Sequence, residues 1–225
     1  MIQEHYTMKN LTICIAFLMM LSTGAWATES EEERMNEVIA LQSKAAVLKV
    51  LEEAWSAYQE DDYTSASNLW KPLAEAGNAS AQVFIGMMYN QGHGVDQDEK
   101  KAAEWYTLAA QQGYSPAQWR LAIMYYHGSG VVQDHQEAAK YYSAAAQQGD
   151  SYAQNSLGVM LRDGVGVLKD HTLAHLWFHI AGDNGFELGT KYRDALAIEM
   201  SKDEISTSQI MAKKCVGSGY TKCGY

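Results

Sequence analysis

Through the middle of the chain, apolar residues return at the three-to-four-residue spacing of helices and do not alternate as in strands. Ala81, Ile85, Met88 and Tyr89 fall on one side of one segment, and Ala102, Trp105, Tyr106, Ala109 and Ala110 on one side of the next. Two amphipathic helices with facing stripes account for this pattern. Between them lie Gly92 and Gly94, where a backbone needing positive φ can turn while Val95 folds back on the pair. Asp98 stands where an N-cap is wanted, its carboxylate placed to accept free amide hydrogens of the first turn. Gly113 stands where a left-handed residue ends a helix, so the second helix is predicted over Asp98 to Gln112. The unit is a helical hairpin.

The unit recurs every 36 residues: Gly92 returns as Gly128 and Gly164, Gly94 as Gly130 and Gly166, Val95 as Val131 and Val167, Asp98 as Asp134 and Asp170, Gly113 as Gly149 and Gly185. Self-similarity at such a period signals stacked units instead of one closed core. The string A-x-A-Q-x-x-x-G-x-M-Y-x-x-G-x-G-V-x-x-D-x-x-x-A-x-x-W-Y-x-x-A-A-x-x-G resembles the Sel-one-like repeat (SLR), a relative of the tetratricopeptide repeat. Three copies cover 79–114, 115–150 and 151–186. A degenerate copy precedes them, since Asp62, Ala66 and Gly77 fall 36 residues before Asp98, Ala102 and Gly113. It has no glycine loop between Tyr58 and Asp62, which predicts a tight turn there. The resemblance implies an all-α, right-handed α-solenoid.

The flanks complete this plan. Residues 1–27 read as an export signal: Lys9 after a second possible initiator, Met8, then the apolar run Leu11 to Leu21 and the small-residue site Ala25-Trp26-Ala27. The mature chain is then expected to start at Thr28, exported to a periplasmic or extracellular space. The run is short for a membrane span, and no other stretch approaches the ~20 residues required. Residues 28–60 read as an N-terminal helical cap and the first hairpin's leading helix. Its apolar stripe is Val38, Ile39, Leu41, Ala45, Leu48, Leu51, Trp55 and Tyr58, and its opening acids Glu29 to Glu33 suit a helix N-terminus or a solvated tail. Residues 61–78 hold the degenerate copy's second helix, which Pro72 should kink or end early. Residues 187–225 read as a helical cap, with helices over Glu187 to Met200 and Lys202 to Cys215, because the last repeat would otherwise expose an apolar face.

A net charge of -10, with 17 basic residues among 27 acids, argues against nucleic acid and anionic membranes as partners. Cys215 and Cys223 are the cysteines left after the signal, and in an oxidising compartment they are expected to form a local disulfide. Their spacing is not that of a redox pair.

Candidate chemistry is sparse. Gly128-Ser129-Gly130 imitates part of a nucleophile elbow, but Ser129 fills the variable place held by His93 and Val165 in the other copies. The same loops follow helices and lack a third glycine, so they do not form a dinucleotide fingerprint. His171, His175 and His179 are spaced at four on one helix and two of them could chelate a metal. The equivalent positions hold Glu99 and His135, Ala103 and Ala139, Thr107 and Ser143, and no acid or cysteine completes the set. Packing, or for His175 a partner contact, is the other reading. No metal and no cofactor is assigned.

What varies between copies while the stripe stays fixed is more informative. Val83, Met87 and Asn90 lie opposite the stripe at ~100° per residue, and their counterparts are Trp119, Ile123 and Tyr126, then Asn155, Val159 and Arg162. The resemblance implies that first helices line a concave side. These residues, with Arg120, would then form one groove rich in the residue types of binding hot spots. The sequence thus points to an exported, non-enzymatic scaffold that takes a protein or peptide in this groove. Its rivals are a β-lactam-binding or hydrolysing activity, as in cysteine-rich SLR proteins, and histidine-mediated metal binding. The former subgroup pairs cysteines inside its repeats, and this chain has none there.

Overall fold

The computed structural model describes residues 29–221 and 223, with side chains from residue 43 onward. The export-signal reading, and the side chains of Val38, Ile39 and Leu41, lie outside the described residues. Among the described residues there are ten helices and no strand: α1 (Glu29–Gln59), α2 (Tyr63–Glu75), α3 (Ala79–Gln91), α4 (Glu99–Gln111), α5 (Ser115–His127), α6 (His135–Ala146), α7 (Ser151–Asp163), α8 (His171–Asp183), α9 (Glu187–Ala197) and α10 (Lys202–Gly217). The chain divides into two compact units inside α1, at Lys49 and Val50. The first holds the described start of α1. None of the described helices is long and apolar enough to cross a membrane.

The second unit is a solenoid. α3 packs on α4, α5 on α6 and α7 on α8 as hairpins, and each second helix packs in turn on the next hairpin's first helix. The predicted punctuation is in place. Asp98, Asp134 and Asp170 cap α4, α6 and α8, each accepting a first-turn amide through Oδ1 at 2.9–3.0 Å. Gly92, Gly128 and Gly164 end α3, α5 and α7 in the left-handed region. The second loop glycine is held by a neighbour as well as by its φ: a Cβ on Gly130 would fall on the Glu99 carbonyl, and one on Gly166 on the His135 carbonyl. Each loop thus rests on the N-terminus of the preceding unit's second helix.

Between the helices of a hairpin, a ring from the second fills a space left by a small residue of the first. Tyr106 lies against Gly86 and Phe178 against Gly158. Trp70, Tyr106, Tyr142 and Phe178, spaced by 36, are all buried. Burying each such ring contributes roughly 1.5–3 kcal/mol relative to leaving it exposed. A polar ladder joins successive units. Gln82 and Gln154 donate to the Ala74 and Ala146 carbonyls at the end of the preceding helix, each at 3.1 Å. Gln82, Gln118 and Gln154 accept from Gln112, Gln148 and Asn184 at 2.8, 2.8 and 2.9 Å. An amide buried there without partners would cost about 1–3 kcal/mol.

Three expectations are corrected. α2 runs through Pro72 to Glu75 and is not ended by it; Pro72 and Asn68, whose carbonyl the ring deprives of a donor, are both exposed, so water can take that carbonyl. Leu48 and Trp55, read as part of α1's apolar stripe, are exposed. Trp105 is half-buried, packed against the cluster that holds Trp70, Ile85 and Met88, while among the described residues Trp70 and Trp177 are the wholly buried tryptophans. At the C-terminal end, α9 and α10 both pack on α8. The close approach of α9 is made by small residues, since a Cβ on Gly189 would crowd the Phe178 carbonyl and Ala181.

The degenerate copy makes the predicted tight turn. Asp61 is left-handed, with φ 60°, and the Asp62 amide reaches back to the Ala57 carbonyl at 2.9 Å. The turn shortens the hairpin: Ala54 and Trp70 stand 16 residues apart, Gly86 and Tyr106 stand 20.

Candidate functional site

Counted back from the ends of the first helices, the variable positions form three columns, Val83-Trp119-Asn155, Met87-Ile123-Val159 and Asn90-Tyr126-Arg162. Val83 and Met87 are only 5 and 8 % exposed, which removes them from any open surface. Val83 belongs to the buried cluster built by α4 and α5, and α3, like each first helix, is packed by the helix before it as well as by its own partner, so its buried arc is wider than the one stripe that faces α4. The others, Asn90, Trp119, Arg120, Ile123, Tyr126, Asn155, Val159 and Arg162, are half-buried. Trp119, Ile123, Tyr126 and Val159 lean on the core built by the following helices.

The polar members differ in how they are held. Arg162 grips the adjacent Asp163 with two bonds, Nε to Oδ1 at 2.7 Å and Nη2 to Oδ2 at 2.9 Å, and lies 5.7 Å from the Tyr192 ring. That bond holds the Asp163 carboxyl below its ordinary range. Arg120 instead lies 5.6 Å from the Trp119 ring and 5.9 Å from the Tyr106 ring. Burial pushes the Tyr106 phenol up to about 12, against a smaller opposing pull from Arg120. Burial also raises Tyr58, again opposed by Arg120. The Trp119 ring continues outward through Tyr152 at 5.4 Å and Phe186 at 5.0 Å from it.

Sequence reasoning missed three residues of this row. Counted from helix ends, Trp55 matches Met87 and Tyr58 matches Asn90. Trp55 is 39 % exposed, stacks on Tyr58 at 5.5 Å and meets Phe84 at 5.4 Å. The Tyr58 hydroxyl donates to Gln91 Oε1 at 2.7 Å and lies 2.6 Å from His93 Nδ1. A register of 36 does not find these two, because the short turn makes the offset 32; aligning helix ends would have. Tyr152, 54 % exposed, sits where Ser80 and Pro116 stand in the other copies, and its size alone was the signal.

A crystal structure of a Sel1 repeat protein from Oxalobacter formigenes matches with a TM-score of 0.63 and 31% identity, over 73% of this chain and 69% of that one. The Sel1 repeat profile matches residues 79–114, 115–150 and 151–186. The chain belongs to the Sel1 repeat family. A protective antigen of uropathogenic Escherichia coli displaying an SLR fold matches with a TM-score of 0.55 and 24% identity, over 77% of this chain and 47% of that one, a likeness of fold. Curated protein sequences give no match.

The remaining candidates of this Sel1 repeat protein serve packing. His175 is 2 % exposed, with Nδ1 2.8 Å from Ser208 Oγ, so it ties α8 to α10 and is not a surface contact. A serine against an imidazole is the beginning of a nucleophile–base pair, but both residues are sealed from solvent. His179 faces Arg193 Nη1 at 3.2 Å and Asp183 at 3.6 Å. Among the described residues, no three His, Cys, Asp or Glu side chains are grouped to hold a metal ion. Ser129 occupies the turn after α5, its amide bonded to the Met124 carbonyl. Cys215 and Cys223 form a disulfide with Cα atoms 4.5 Å apart, tying the segment after α10 back to it.

Proposed function

We propose that this Sel1 repeat protein is an exported, non-enzymatic scaffold that binds an extended segment of a partner protein along its first helices. The observation that carries this reading is the row of exposed and half-buried aromatic side chains from Trp55 through Trp119 to Tyr152, with arginines set among them. Such side chains bring large contact area and little ordering cost, and they dominate binding hot spots. The second helices carry Glu99, Lys100, Glu104, Gln136 and Lys140 exposed, a solvated outer face. Export is supported by the disulfide, which persists in oxidising compartments, together with the signal-like residues 1–27.

The test is capture from envelope extract with the mature protein and its Trp119→Ala and Trp55→Ala variants, read by mass spectrometry. A partner retained by the parent and lost from both variants supports the reading. Equal retention by all three would remove the first-helix face as the binding site.

A further inference from the structure

Arg120 is the feature of this face that internal packing does not explain. Three arginines have described side chains, and two of them close on the aspartate beside them: Arg162 on Asp163 and Arg193 on Asp194, each with a 2.7 Å bond. Among the described residues Arg120 has no such partner. Among the described residues, the ion pairs join Lys101 to Asp98, Lys140 to Glu137, Arg162 to Asp163, His179 to Asp183 and Arg193 to Asp194. Its surroundings are the Trp119 and Tyr106 rings, and the phenols near it, Tyr106 and Tyr58, are neutral at physiological pH and are pushed further from ionising by burial. A half-buried guanidinium has lost part of its hydration, and among the described residues it gains ring faces and the neutral Tyr106 hydroxyl in return, with no carboxylate. The position is not constrained to be basic by the fold, since its counterparts are Phe84 and Ser156.

We infer that Arg120 is the anchor for a carboxylate of the bound partner: an aspartate or glutamate side chain within an extended peptide whose flanking residues are apolar. A planar guanidinium offers parallel donors that match a carboxylate, and in a partly desolvated setting such a pair is stronger than between exposed groups. The flanking rings call for apolar neighbours. Trp55 and Tyr58 lie on α1, two first helices before Arg120, and Tyr152 lies on α7, the next first helix after it. Aromatic surface thus continues on both sides, so the peptide runs past the anchor and the carboxylate belongs to a side chain and not to a chain end. The net charge of -10 repels polyacidic segments at long range, which favours a single acid among apolar residues.

This inference rests on the first-helix face being the binding site. The test separates the two. A random peptide library, displayed with both flanks continuing as linker, is selected against the full mature chain and against Arg120→Gln, Arg120→Lys and Trp119→Ala, each first shown by circular dichroism to be folded. The expected result is enrichment of Asp or Glu at one fixed place beside apolar residues with the parent. Selected peptides should bind Arg120→Gln at least tenfold more weakly and Arg120→Lys at an intermediate level, and replacing their acid by its amide should cost the parent the same tenfold. Peptides that depend on Trp119 but show no acid preference, or whose acid preference survives in Arg120→Gln, overturn the inference and leave the binding face standing. Selection of no peptide above an empty support overturns both. Binding that requires a free C-terminal carboxylate, measured with the selected peptides in free-acid and amidated form, also overturns it.

Discussion

The Tyr106 ring occupies the space in which any residue larger than glycine at position 86 would place its side chain: a Cβ built on Gly86 lies 2.7 Å from Tyr106 Cε1. Because the ring is buried within the hairpin, it has little room to retreat. Gly86→Ala should therefore destabilise the protein by about 1–3 kcal/mol through overpacking, even though alanine gains about 1 kcal/mol over glycine in helix propensity. Gly217→Ala in α10, where nothing lies within 4 Å of the added atom, should be neutral or slightly stabilising. Denaturant titration of both variants checks the contrast. Equal effects would mean that the ring does not fill the gap.

His175 makes the C-terminal end sensitive to acid. Burial, with help from His179 and Arg193 and some opposition from Asp194, lowers its pKa below the ordinary 6.5. The unfolded chain then binds the proton first, so the stabilising contribution is complete above pH 6.5 and is lost as pH falls below it through the folded value. Thermal melts at pH 7.5 and 5.5 should show the parent losing more stability than His175→Gln over that interval. Parallel losses would contradict the assignment.

The disulfide closes the last loop, whose Tyr220 hydroxyl accepts from Asn184 and whose ring lies beside Gly149. Alkylation of the unfolded, unreduced protein should label neither Cys215 nor Cys223. Replacing both by Ser should cost roughly 2 kcal/mol, the lower end expected for a short loop, and lower the melting temperature without loss of helical signal at 25 °C. The helical signal should persist because the repeats upstream are held mainly by nearest-neighbour contacts.

The architecture was legible because each copy repeats the same backbone chemistry. An aspartate that caps, a glycine that must be left-handed and a glycine without room for a Cβ leave marks that few residue types can replace and that recur in register, and Asp98, Gly92 and Gly130 carry those roles in the structure. The face opposite the stripe was less legible, because a single helix does not report how many neighbours enclose it. Val83 and Met87 disappeared into α3's surroundings, whereas Trp119, too large to be covered, did not. Trp55 and Tyr58 escaped notice for a different reason: the turn at Asp61 is four residues shorter than a glycine loop, and a fixed period misplaces everything before it. Tyr58's partnership with His93, a loop residue 35 positions away, has no sequence signature.

The two kinds of tryptophan should behave differently. Trp177 is wholly buried in the core of the last repeat, and Trp177→Ala should cost about 3–5 kcal/mol. Trp119→Ala, which removes a half-covered ring, should cost clearly less and leave the far-ultraviolet spectrum unchanged. Chemical denaturation of the two variants side by side measures this, and a larger cost at Trp119 would mean that its role is structural.

Binding along the first helices is tested most directly by titrating a captured partner, or a peptide from it, against the parent, Trp119→Ala and Lys100→Ala by calorimetry. Lys100 is exposed on α4, a second helix. The predicted result is a loss of more than ~1 kcal/mol, about fivefold or greater in Kd, for Trp119→Ala, with Lys100→Ala matching the parent. Parent-like affinity for Trp119→Ala, or a larger loss for Lys100→Ala, would contradict the placement of the binding site on the first helices.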